Sequence, residues 1–239
     1  MQAIAVIPAR MGSTRFPGKP LALLGGRPMV EHVYRATVAC SQLAEVVVAT
    51  CDTEIRDAVE AFGGQAELTS ASHVRATDRV AEVSARRSAE IVVMVQGDEP
   101  MMTPELVTAA IDGLAADPGV GCINLAVYID DERDALDPHT IKVVTSARGR
   151  ALYFSRSPIP AQFAPRAIQK QVCVIAFRRE ALARFATLLP RPLEQLESVD
   201  MLRFLEHDLP VGIVRTTART QAVDTPDDLA RVSRLMGFL

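Results

Sequence analysis

Four short apolar runs constrain this chain more than any other feature: AIAVIP (3–8), EVVVAT (45–50), IVVMVQ (91–96) and CINLAVYI (122–129). Each is rich in Ile, Val or Leu and nearly continuous, the pattern of a strand covered on both faces. Between them lie segments with apolar residues at helical spacing. These are 29–40, with Pro28 at its start, and 52–64, with Asp52 as N-cap and Gly63 as C-cap. Two more cover 77–87 and 103–117, the latter with Thr103 as cap and Pro104 in its first turn. Strand and helix in alternation, with short links, predict an α/β fold built on a doubly wound, mostly parallel sheet. Ligands of such sheets sit at the C-terminal strand ends. PARMGSTR, TCD and QGDEP all fall there and are expected to line one crevice.

The second half is less regular. IKVVTS (141–146), RALYFS (150–155) and QVCVIAF (171–177) read as strands, and the Pro-rich RSPIPAQFAPRAIQK between the last two reads as a loop or arm. PLEQLESVDMLRFLEHD (192–208) has the periodicity of one amphipathic helix. VGIVRTT (211–217) follows as a strand, and DTPDDLARVSRLMGF (224–238) as a final helix that starts on Asp224 as N-cap. A single domain over 1–239, with an inserted arm around 155–205, is the simplest organisation.

The 239 residues are 49% hydrophobic and 23% charged, enough to bury a sizeable core. A net charge of −3 gives no global field for nucleic acid, so any anion site must be local. The four cysteines are widely spaced and form no CxxC pair. That argues against a zinc site or a disulfide framework and suits a reducing compartment. No signal peptide or membrane-spanning run is legible, so the expected location is the cytoplasm, with no membrane partner.

Three stretches carry candidate chemistry. IPARMGSTRFPGKP (7–20) follows the first strand with two glycines, three cations and no acid. Gly12 permits close backbone approach to an anion, Arg10, Arg15 and Lys19 supply charge, and Ser13 and Thr14 supply hydroxyls. VQGDEP (95–100) puts a carboxylate pair at a strand end. It is either a plain turn or a Mg²⁺ site, because Mg²⁺ takes one or two carboxylates together with substrate phosphate. VDTPDDL (223–229) offers Asp224 as an N-cap that, at a cleft, also reaches a metal, while Asp227 and Asp228 suit the helix dipole. The four histidines show no ligand spacing, and no Ser-His-Asp or Cys-His grouping supports a covalent route.

Together, IPARMGSTRFPGKPL, VVVATCD, VVMVQGDEPMM, IKVV, RALYFSRSPIP, PLEQLES and VDTPDDLARV resemble the CMP-Kdo synthetases, the 3-deoxy-manno-octulosonate cytidylyltransferases, in the family's order and over nearly the full chain. The resemblance implies a Rossmann-like nucleotide-diphospho-sugar transferase fold with an arm for dimerisation and sugar binding, and a homodimer. It implies transfer of CMP from CTP to the anomeric hydroxyl of a 2-keto-3-deoxy sugar acid, with release of pyrophosphate, for polysaccharide or lipopolysaccharide synthesis. Carried over by motif, Arg10, Ser13 and Lys19 bind the triphosphate, Gln96 lies near the ligand, Asp98 and Asp224 hold Mg²⁺, and Arg156 lies near sugar or nucleotide.

The chain departs from this family in two places. SHVRATDR (72–79) stands where the family has DHxSGTER, putting Arg75 and Ala76 at positions that read the base, while Thr77, Asp78 and Arg79 fit. QVCVIAFR (171–178) stands for HLGIYGYR, so Gln171 and Ile175 replace a His and a Tyr that face the sugar, and DMLR places Asp200 and Met201 where the family has Glu-Gln. The segment before Gln171 is also shorter. These changes predict a sugar acid related to Kdo but altered, an amino or deoxy variant or another keto-sugar acid, with Kdo itself still open. Two alternatives stand beside this: a same-fold transferase using another nucleotide, and a non-catalytic nucleotide-binding homologue.

Overall fold

The computed structural model describes residues 2–13, 15–161, 168–218 and 220–239. The first apolar run is β1 (Ala3–Pro8), and every residue of it is buried. Its side chains alternate: Ala3, Ala5 and Ile7 face one core and Ile4 and Val6 the other. That two-faced burial is why the run lacks the polar alternation of a half-exposed strand. A small hairpin, β2 (Leu23–Leu24) with β3 (Arg27–Pro28), leads into α1 (Met29–Val38). The order continues β4 (Leu43–Thr50), α2 (Thr53–Ala61), β5 (Ala66–Leu68), α3 (Ala76–Ala85), β6 (Ile91–Val95), α4 (Pro104–Ala116) and β7 (Cys122–Tyr128). After it come α5 (Glu132–Leu136), β8 (Lys142–Thr145), β9 (Ala151–Ser155), β10 (Gln169–Arg178), α6 (Arg179–Thr187), α7 (Pro192–Glu197), α8 (Met201–Leu205), β11 (Val211–Arg215) and α9 (Pro226–Leu235). The sequence pattern did not reveal the hairpin, β5, α5 or α6.

The main sheet runs β11-β7-β10-β6-β1-β4-β5, with β8 and β9 continuing from one end of β10. β1, β4, β5 and β6 pair in parallel, as do β7 and β11. β10 is antiparallel to both β6 and β7. Helices α1, α2 and α4 cover one face, while α3, α6 and α8 cover the other. The expected doubly wound, mostly parallel sheet is therefore present. Within 155–205, however, β10 runs through the middle of the sheet and α6 packs on its face, so much of that stretch is core rather than arm. The centre of the Pro-rich segment, 162–167, lies outside the described residues.

The helix expected over 192–208 is two. Ser198 adopts the left-handed conformation (φ 52°, ψ 50°), which ends α7 and restarts the chain as α8. Long-range bonds favour this break over helical continuity. Buried Arg203 on α8 forks onto Glu194 of α7 at 2.8 and 2.6 Å, bonds Asp78 of α3 at 2.9 Å, and stacks 4.0 Å over the Phe185 ring. Both partners of the Arg203–Glu194 pair are desolvated, so removing one strands the other charge. Arg203→Met is expected to destabilise the fold by about 3–5 kcal/mol in chemical denaturation, and pairing it with Glu194→Leu to recover part of that loss. A loss under about 1 kcal/mol would mean the clamp is solvated in solution.

Candidate active site

Three strand-end loops converge, as parallel pairing of β1, β4 and β6 requires. The loop after β1 is tied to the end of β4 by Ala9 N–H donating to Ala49 O at 2.9 Å, and by Met11 N–H donating to the Asp52 carboxylate at 2.8 Å. Asp52 makes no side-chain cap on α2; its carboxylate braces the basic loop instead. Gly97 lets the QGDEP turn lie against β1: a Cβ there would sit 3.1 Å from Pro8 O. Gly18, at φ +72°, turns the chain so that Lys19 opens a short 3-10 turn and points inward.

Lys19 is the centre of the site. Its buried Nζ donates to Asp98 Oδ2 at 2.8 Å and Asp224 Oδ1 at 3.3 Å. Burial alone would lower its pKa, but the Asp98 and Asp224 carboxylates outweigh that and hold it above the ordinary lysine value. Arg15 adds a second cation 3.0 Å from the same Asp224 oxygen. The two acids are brought together by backbone: Val223 N–H donates to Asp98 O at 2.9 Å. Asp224 does not cap α9. The cap is Thr225, in a reciprocal box with Asp228, which leaves the Asp224 side chain free to face the cleft. Asp228 is structural, as its place in the first turn predicts.

Two cavities meet at this cluster. One, of about 280 Å³, is lined by Arg10, Gly12, Ser13, Arg15, Lys19 and residues 73–76, among others. The second lies toward β10 and α8, lined by His139, Arg156, Gln171, Ile175, Asp200 and neighbours. Arg15, Ala76, Gln96, Asp98 and Asp224 line both. Thr14 lies outside the described residues.

Some expected ligands are instead committed to the walls. Thr77 is fully buried, lines neither cavity, and bonds Asp200 through both its N–H (3.1 Å) and its hydroxyl (2.7 Å). Arg75 lines the first cavity, but its guanidinium bonds Ser198 Oγ at 2.6 Å and Glu194 O at 3.1 Å and pairs with the Glu194 carboxylate at 3.4 Å. Arg156 donates to the carbonyls of Glu197, Pro138 and Ser198 at 2.5, 2.8 and 3.2 Å. Sequence patterns cannot show such commitments, because the partners lie up to 123 residues away. His139 is the reverse case. Unmarked by any spacing, it lines the second cavity and bonds Arg15 through Nδ1. Arginine only donates, so that nitrogen accepts and Nε2 carries the proton. Lys142 holds the His139 loop by donating to the carbonyls of Asp137, Thr140 and Arg156.

The described residues contain no cluster of three or more acid, His or Cys side chains able to hold a metal. Asp98 and Asp224 form a two-carboxylate set, which fits Mg²⁺, an ion that completes its shell with water and phosphate oxygens. Behind them Glu99 is buried, with Oε2 without a partner among the described residues. Burial, and then the Asp98 charge, push its pKa from 4.5 to about 7. The folded state thus holds a proton that the unfolded chain releases earlier, so stability from this group falls as pH rises across that interval. Melting curves of chelator-treated protein are expected to show this decline from pH 4.5 to 7, with a shallower slope in Glu99→Gln. Equal slopes would refute the assignment.

The sequence profile described as cytidylyltransferase matches residues 4–211. The chain is 44% identical to the 3-deoxy-manno-octulosonate cytidylyltransferase of Geobacter metallireducens, covering 97% of this chain and 96% of the relative, and 45% identical to that of Geotalea daltonii, covering 97% of each. A solved CMP:2-keto-3-deoxy-manno-octonic acid synthetase complexed with CTP superposes with a TM-score of 0.91 at 40% identity, covering 99% of this chain and 98% of that one. At 16% identity, a 4-diphosphocytidyl-2C-methyl-D-erythritol synthase from Anaerococcus prevotii shares the fold alone, with a TM-score of 0.67 over 98% of each chain. Converging strand ends, a basic loop and a paired carboxylate site thus stand in a chain that belongs to the cytidylyltransferase family, among its 3-deoxy-manno-octulosonate cytidylyltransferases.

Proposed function

We propose that this cleft transfers CMP from CTP to the anomeric hydroxyl of a 2-keto-3-deoxy sugar acid of the Kdo class, releasing pyrophosphate, with Mg²⁺ as its resident ion. The observation that carries this reading is the shared wall of the two cavities. Asp98 and Asp224 stand where a basic cavity meets one lined by hydrogen-bonding side chains, which is where a phosphorus and an attacking hydroxyl must meet. Arg10, Ser13 and the backbone around Gly12 receive the triphosphate. Lys19 and Arg15 offset the charge that builds on the leaving pyrophosphate. Gln96 sits at the junction and orients the reacting groups, while Asp200 and Gln171 line the acceptor side. Mg²⁺ held by Asp98 and Asp224 would neutralise phosphate oxygens and make the attacking hydroxyl more acidic. No side chain forms a bond to phosphorus, so catalysis rests on positioning and preorganised charge.

Arg75 raised the possibility of another base. Its guanidinium is held by Glu194 and Ser198, and CTP as the nucleotide is supported instead by the cytidylyltransferase family match and by the similar solved synthetase complexed with CTP. Supply of the activated sugar for lipopolysaccharide-type glycans follows from the same reading. A cytoplasmic location is supported by the four free cysteines, and a homodimer by the family resemblance. No helix among the described residues is long and apolar enough to cross a membrane.

Pyrophosphate release, measured with CTP, Mg²⁺ and a panel of 2-keto-3-deoxy sugar acids, is expected for at least one acid and is expected to stop on chelation. Asp98→Asn is expected to lower kcat by about 100-fold or more, the scale of losing a preorganised charge at the reacting phosphoryl group. Stronger turnover with UTP, GTP or ATP, or tight CTP binding with no turnover of any acid, would sink the proposal.

A further inference from the structure

Arg75 is the residue before α3, at the edge of the basic cavity and outside the lining of the acceptor cavity. Its guanidinium nonetheless turns across to the acceptor wall. Nη1 donates to Ser198 Oγ at 2.6 Å and Nη2 to Glu194 O at 3.1 Å. Nε lies 3.4 Å from the Glu194 carboxylate and 3.8 Å from Asp200 Oδ1. All three nitrogens are thus directed at α7 and the link from α7 to α8. That link, residues 198–201, lines the acceptor cavity. Ser198 holds a left-handed conformation (φ 52°, ψ 50°) that residues with a Cβ rarely adopt, so its neighbours must fix it. Arg156 holds its carbonyl at 3.2 Å and Arg75 holds its hydroxyl. Thr77, two residues after Arg75, takes Asp200 Oδ2, so the start of α3 grips the link at two points. The anchor of the fold is separate: Arg203 forks onto Glu194, which keeps a charged partner when Arg75 is replaced.

We infer that Arg75 is a positioning residue for the acceptor: from the edge of the nucleotide cavity it sets residues 198–201 of the acceptor wall, and so governs affinity for the sugar acid rather than for CTP. The inference rests on the reading of the second cavity as the acceptor side of a cytidylyl transfer. Arginine suits the task because its planar fork reaches a hydroxyl, a carbonyl and a carboxylate at once, whereas a lysine ammonium is a single point of charge. Without the fork, Ser198 is free to leave its left-handed turn, and Asp200 loses the cation beside Oδ1. The wall then meets the acid in several arrangements instead of one, and misplacing a bound reactant is costly. With all three nitrogens so engaged, the head of Arg75 is spent on the wall and not on the nucleotide. A position matched by motif to base reading thus serves the other substrate.

Steady-state kinetics with CTP, Mg²⁺ and the 2-keto-3-deoxy sugar acid that the wild type turns over fastest test this. Arg75→Met is expected to raise the acceptor KM about tenfold, the fold-change of one lost hydrogen bond to a charged group, while the CTP KM stays within about twofold. Arg75→Lys is expected to restore only part of the loss, since one ammonium cannot hold Ser198 and Glu194 together. Ser198→Ala is expected to raise the same KM, and the double variant to lose no more than Arg75→Met alone, because residues acting through one contact are not additive. Should Arg75→Met fail to fold, Arg75→Lys and Ser198→Ala decide by the same comparison of the two KM values. An unchanged acceptor KM, a CTP KM that rises as much as the acceptor KM, or additive losses would overturn the inference. A wild type that binds CTP yet turns over none of the acids would overturn the proposed function as well, whereas an active wild type with any of those three outcomes overturns this inference only.

Discussion

One buried ammonium organises the cleft. Lys19 shares its charge between Asp98 and Asp224, partners 79 and 205 residues away in sequence. Without it, two carboxylates would face each other in a partly desolvated space, and like charges so placed repel. With it, the loop after β1, the turn after β6 and the segment before α9 are held as one unit. Each segment is prepared for the meeting by backbone. Gly18 turns Lys19 inward, Gly97 allows close approach to Pro8, and Val223 N–H bonds the Asp98 carbonyl. The arrangement is partly open to solvent, with the Asp98 and Asp224 side chains 28% and 18% exposed, so both remain within reach of a ligand.

The acceptor side is built on a different principle. Its charged side chains are mostly committed to one another and to carbonyls: Arg75 and Arg203 to Glu194, Arg156 to three carbonyls, Lys142 to three more, and Asp200 to Thr77. Buried polar groups without partners are expensive, and this network satisfies them while shaping the wall. Beside these committed groups, His139 and Gln171 also line the cavity. A phosphate site must offset several charges, whereas a sugar site must discriminate hydroxyls. The two halves of the cleft differ in that sense.

Several readings of individual residues changed for one reason. Asp52 and Asp224 both stand before a helix, and residues of that type usually cap it. Asp52 instead braces the basic loop, and Thr225 with Asp228 takes the capping role that frees Asp224. The periodicity of 192–208 is helical throughout, yet Ser198 breaks it, because Arg203, Asp78 and Glu194 are satisfied together only if α7 and α8 diverge. Local propensity is worth fractions of a kcal/mol per residue, and a desolvated ion-pair network outweighs it.

The sequence by itself determined the parallel sheet and the crevice at its strand ends; the loops after β1 and β6 line that crevice as expected, whereas TCD does not line it and instead braces the first loop through Asp52. Apolar runs, periodicity and turn residues are local signals, and parallel pairing makes strand ends coincide. The sequence also placed Arg10, Arg15, Lys19 and Asp98 at those strand ends, while Asp224 read equally as a helix cap and entered the site only through the family resemblance. Only the tertiary structure decided which charges face the cleft and which are spent holding it. It also decided that β10 runs antiparallel through the centre, that His139 enters the site, and that Arg75 turns to Glu194 and Ser198. Those outcomes depend on partners tens to hundreds of residues away, and a buried polar group takes its role from whichever partner is within hydrogen-bond reach.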